Sequence, residues 1–137
     1  MKDAAIQKIT YHFGDSSTSP QYHRSYTITL TVDRIEVVVD SYGDVLATKT
    51  HGTTKEQFKE ILLSLKRTVV FGVELGENDG CMGGTSETLS VHDGEGEVLS
   101  GGVYHCGGRD SGDLGGDVKS FADDIKKLAP DLPELLK

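Results

Sequence analysis

Residues 24–50 read RSYTITLTVDRIEVVVDSYGDVLATKT, and their period decides the fold. Tyr26, Ile28, Leu30 and Val32 alternate with Ser25, Thr27, Thr29 and Thr31, the two-residue period of a strand that buries one face. Asp33-Arg34 turns the chain into Ile35–Asp40, and Ser41-Tyr42-Gly43-Asp44 turns it again into Val45–Thr50. The stretch is therefore an antiparallel meander.

Upstream, Ile6–Phe13 is rich in β-branched and aromatic residues and ends at Gly14, which predicts a further strand pairing with the meander. A polar loop, residues 14–24, joins the two. Downstream, Thr53 followed by Glu56 matches a capping box, and Phe58, Ile61, Leu62 and Leu65 repeat with helical spacing. Lys66 and Arg67 suit the C-terminal end of that helix, opposing its dipole.

Three more strands are predicted at Val69–Leu75, Thr88–Val91 and Val98–His105, the last two joined at Asp93-Gly94-Glu95-Gly96. A glycine-rich linker, residues 106–116, leads to Asp117, a good N-cap for a second helix with Val118, Phe121, Ile125 and Leu128 on one face. Pro130 and Pro133 end this helix and leave a terminal turn. The expected architecture is α+β: an antiparallel sheet of about seven strands in the order β-β-β-β-α-β-β-β-α, with two helices on one face. At 137 residues the chain forms one domain, 1–137, large enough to bury roughly two thirds of its unfolded surface.

The net charge of −8 is unevenly spread. Residues 1–68 carry nine Lys or Arg against eight Asp or Glu, while residues 69–137 carry five against fourteen. Such a balance speaks against nucleic acid, whose binding rests on Lys and Arg, and suits a basic protein partner, a cation or simple solubility. No run approaches the roughly 18 apolar residues of a membrane span, and Met1–Ile6 lacks an apolar leader, so a cytoplasmic protein is expected. A reducing cytosol keeps Cys81 and Cys106 as thiols; a bridge between them is the alternative, since both stand at ends of neighbouring strands.

Twelve of the 17 glycines fall between Gly80 and Gly116, and each cysteine precedes a glycine pair there. Glycine at this density marks tight turns or close backbone approach without naming a ligand. Three histidines follow tyrosines, at Tyr11-His12, Tyr22-His23 and Tyr104-His105. With Tyr11 and Tyr104 inward, His12 and His105 emerge together on the other face, where His23 and Cys106, or Asp110, would complete a zinc-type donor set. The spacing of Cys-x-x-Cys or His-x-x-x-His pairs is absent. Arg109 beside a helix N-terminus is the right group for an anion, but Asp113 and Asp117 oppose one. Glu77 and Asp79 would raise the pKa of Cys81, against a catalytic thiol.

The expectation from sequence is a small binding module with no cofactor and no assigned catalytic residue. Its recognition surface lies near loop 14–24 and linker 106–117, through Tyr22, His23, Arg24, His105, Arg109 and Asp110. The alternative is a metal-binding protein or hydrolytic enzyme that uses His12, His23, His105 and Cys106.

Overall fold

A computed structural model describes residues 6–76, 83–106 and 109–137. Four strands come first, β1 (Ile6–Gly14), β2 (Ser25–Thr31), β3 (Arg34–Ser41) and β4 (Asp44–Gly52), followed by α1 (Lys55–Thr68). Then come β5 (Val69–Phe71), β6 (Thr85–Asp93), β7 (Glu97–Cys106), β8 (Arg109–Gly112), β9 (Leu114–Gly116), α2 (Val118–Lys126) and α3 (Leu132–Leu135). The main sheet has seven strands in the order β4-β3-β2-β1-β6-β7-β8. Every pairing in it is antiparallel.

Period-2 alternation sets the inward face: Ile9 and Tyr11 on β1, Ile28 and Leu30 on β2, Ile35, Val37 and Val39 on β3, Leu89 and Val91 on β6 are all buried. They form one cluster with Phe58, Ile61, Leu62 and Leu65 of α1 and Val118, Phe121, Ala122 and Ile125 of α2. Each such aliphatic side chain contributes about 1.5–3 kcal/mol by leaving water. The opposite face carries Thr10, Thr27, Thr29, Thr88 and Ser90, as expected of an antiparallel sheet with one solvated side. Where the two helices meet, the buried Ser64 hydroxyl of α1 donates to Asp124 Oδ2 of α2 at 2.6 Å.

Four local expectations are corrected. The helix α1 is capped one residue later than the sequence suggests: Thr54 Oγ1 accepts from Gln57 N, and Gln57 Oε1 accepts from Thr54 N. Thr53 stays with the preceding hairpin, its N–H donating to Asp33 O and its hydroxyl to Thr31 O. Strand β5 is three residues long and leaves the main sheet to pair with β9. The linker is not a mere connection, because β8 takes the seventh place in the main sheet and β9 forms the second sheet. Neither shows hydrophobic alternation; backbone pairing creates them, with Gly112 at φ 122° turning one into the other. Lastly, the terminal turn holds a short helix, α3, whose Leu132 is buried.

Candidate functional site

One end of the sheet gathers the end of β1, the start of β6, the end of β7 and the start of β8. The inward phase that buries Leu89 and Val91 on β6 continues to Glu87, beyond the apolar core. On β7 the same face carries Val103 and then His105, which stands opposite Thr85 on one side and Asp110 on the other. Core packing therefore delivers two carboxylates and an imidazole to a single edge.

The four polar groups form an unbroken chain. Tyr11 Oη donates to Glu87 Oε1 at 2.6 Å. Glu87 Oε2 lies 2.7 Å from His105 Nε2, and His105 Nδ1 lies 2.7 Å from Asp110 Oδ1. Both ring nitrogens face carboxylates, the arrangement of an imidazolium that donates twice. Burial works against that charge, but the hydrogen bonds to Asp110 and Glu87, reinforced by both carboxylate charges, outweigh it and raise the His105 pKa above its ordinary 6.5. Burial, followed by the Glu87 hydrogen bond, pushes the Tyr11 phenol far up, so it remains a donor.

Glu87, His105 and Asp110 open into a cavity of about 440 Å³ lined also by Phe13, Leu75, Thr85, Val103 and Leu114, and by the first residues of α2, with Tyr11 behind them in the core. The α2 N-terminus is already capped: Asp117 accepts from the Ser120 N–H and hydroxyl, and these bonds hold its carboxyl below the usual range. An incoming anion would have to displace that carboxylate.

The residues expected from sequence are divided between two places. His105 and Asp110 meet in the cavity, and Arg109 opposes Cys106 at the start of β8. Tyr22, His23 and Arg24 belong to the same end of the sheet but to its other flank. His23 is buried, its ring stacked on Tyr42 at 3.8 Å between centroids. Tyr42 follows β3, and β3 is four strand spacings from β7, about 19 Å. Arg24 folds back onto its own loop, donating to the carbonyls of Pro20 and His23. Of the three, Tyr22 is the most exposed, at 68 %.

The proposed metal set is not brought together. The phase of β7 is opposite to the one expected, because Val103 rather than Tyr104 points inward after the Gly101-Gly102 pair. His105 thus shares the helix-side face with Tyr11, while His12 lies on the open face, its Nδ1 2.9 Å from Thr27 Oγ1. His23 is held against Tyr42, and Cys106 is disulfide-bonded, contrary to the expectation of a thiol. A disulfide sulfur is no thiolate ligand. Cys81, Glu77 and Asp79 lie outside the described residues. Among the described residues, no group of three or more His, Cys, Asp or Glu is arranged to hold a metal ion.

Sequence reasoning missed Glu87 and the site role of Tyr11. The signal was present, since Glu87, Leu89 and Val91 share one phase and an acid in the inward phase of a strand is unusual. Starting the strand at Thr88 hid it. Comparison of the chain with family models, with curated proteins and with solved structures returns no match, so the reading of this site rests on its geometry.

Proposed function

We propose that the chain is a small binding module whose ligand seat is the cavity between β1, β6, β7, β8 and the start of α2. The observation that supports this most is the Tyr11–Glu87–His105–Asp110 chain, which brings Glu87, His105 and Asp110 to one cavity beside the apolar Phe13, Leu75, Val103 and Leu114. Glu87, Asp110 and Asp117 outnumber His105 and Lys119 around it, which favours a basic side chain of a protein partner as the occupant. The excess of carboxylates in the second half of the chain favours the same partner and disfavours nucleic acid.

Among the described residues, no helix is long and apolar enough to cross a membrane. The cytoplasmic setting expected from the sequence is weighed against by the disulfide at Cys106, since cytosolic thiol pools open such bonds.

The test is an amide NMR titration with an arginine-rich peptide and an acidic control. Shifts confined to the cavity residues, lost in Glu87→Gln, support the reading; shifts elsewhere, or none with either peptide, overturn it.

A second reading, a hydrolytic enzyme, draws on one observation: Glu87, itself held by Tyr11, orients the His105 ring as a carboxylate orients a general base. Turnover of an activated ester that disappears in His105→Gln would favour it over the binding module.

A further inference from the structure

We infer that His105 is a pH-operated latch between β6 and the edge strand β8: protonated, it bridges Glu87 and Asp110 and holds β8 against the cavity; neutral, it keeps Glu87 and releases Asp110. This goes beyond the binding reading and does not depend on what the cavity takes.

The two carboxylates are not equivalent. The Glu87 side chain is 13 % exposed and is held by Tyr11, whereas Asp110 is 50 % exposed and sits on a four-residue strand at the edge of the sheet. A neutral imidazole has one N–H and one lone pair. With one proton left, the ring donates from Nε2 to Glu87 Oε2, because a carboxylate oxygen without a donor costs more at the less exposed Glu87 than at Asp110. The Nδ1 lone pair then faces the Asp110 carboxylate, an acceptor against an acceptor, and Asp110 turns to solvent.

Neighbouring charges do not replace the lost proton. Tyr11 on β1 is committed to Glu87 Oε1. At the start of α2, Asp117 is bonded to Ser120, and Lys119 Nζ lies 3.4 Å from Asp123. Arg109 on β8 stands in the alternate phase, opposite Cys106.

The far end of β8 is independently anchored. Gly112 O accepts from Leu75 N, and the Asp113 N–H donates to Gly102 O. Pairing with β7 also holds Arg109–Ser111, so release of Asp110 removes the side-chain tie that reinforces this end and loosens it at the mouth of the cavity, while Gly112 stays in place. The same step frees Nδ1 inside the cavity with Glu87 still behind the ring.

The experiment follows amide hydrogen exchange of residues 109–111 against β6 and β7 amides, corrected for the intrinsic pH dependence of exchange, while the His105 ring is titrated by NMR in the same samples. Protection of residues 109–111 is expected to fall about tenfold as His105 loses its proton, a population shift of one decade. His105→Gln is expected to exchange alike across the range, and Asp110→Ala to be loose at every pH while its β6–β7 amides remain protected. Constant β8 protection through the His105 titration, or the same fall in His105→Gln, overturns the latch. A peptide titration that fails while β8 protection still follows His105 rejects the binding reading and leaves the latch standing.

Discussion

The Tyr11 hydroxyl donates to Glu87 Oε1 at 2.6 Å, so a tyrosine with 1 % of its surface exposed ends on the carboxylate that also accepts from His105. The relationship joins the central strand of the sheet to the candidate site. Packing of the core therefore sets the position of a charge, and the charge sets the protonation of an imidazole.

Tyr11→Phe keeps the ring in the core and removes the donor. A hydrogen bond to a charged group contributes about 1.5–3 kcal/mol, and a loss of this size is expected in chemical denaturation. Glu87, no longer sharing its charge with the phenol, attracts the imidazolium more strongly, so the His105 pKa measured by NMR should rise rather than fall. A fall would show that Tyr11 does not act through Glu87.

Stability should depend on pH in a definite direction. Because the folded pKa of His105 lies above 6.5, the stabilisation from its two carboxylate partners is fully present below about pH 6.5 and is lost as pH rises through the folded value. Thermal unfolding of the wild-type chain is expected to shift downward over that window. His105→Gln should remove that part of the dependence, and an unchanged profile in the variant would assign it to another group.

The true cap of α1 can be separated from its neighbour by paired substitutions. Thr54→Ala should cost about 1 kcal/mol, since it deletes the acceptor of the Gln57 N–H. Thr53→Ala loses a hydroxyl bond of 3.3 Å to Thr31 O and should cost less. Urea denaturation of both variants gives the order, and the reverse order would restore Thr53 as the cap.

Gly84 immediately precedes β6, its N–H donating to Tyr104 Oη at 3.0 Å. A Cβ there would fall on the His105 carbonyl oxygen, a backbone atom that can move only with the strand. Gly84→Ala should therefore destabilise by about 1–3 kcal/mol, as overpacking does, and displace the His105 ring signals. Gly43, in a β-turn with open space around it, should tolerate Ala with a cost from its φ of 90° alone and leave His105 untouched. Equal effects on His105 from both would sink the argument from close approach.

Much of the sheet was legible because its code is local. The alternation of Tyr26, Ile28 and Leu30 specifies a strand and its buried face without reference to any other part of the chain, and Val118, Phe121 and Ile125 do the same for α2. Tyr104-His105 marks where this logic stops. Two glycines precede Val103, and residues without side chains carry no phase, so the inward face of β7 could not be read through them. The structure resolves the phase through register with β6, Leu89 opposite Gly101 and Glu87 opposite Val103. Strands β8 and β9 were hidden for a related reason: Arg-Asp-Ser-Gly and Leu-Gly-Gly have no alternation, and they become strands only because β7 and β5 supply backbone partners.

By itself, the sequence determined an α+β chain with an antiparallel meander, two amphipathic helices and an acidic second half, because periodicity, capping and charge are properties of neighbouring residues. The tertiary structure alone decided the candidate site, since Tyr11, Glu87, His105 and Asp110 come from four strands and meet only through pairing register, and since His12 and His105 were sent to opposite faces by a phase that no local pattern records.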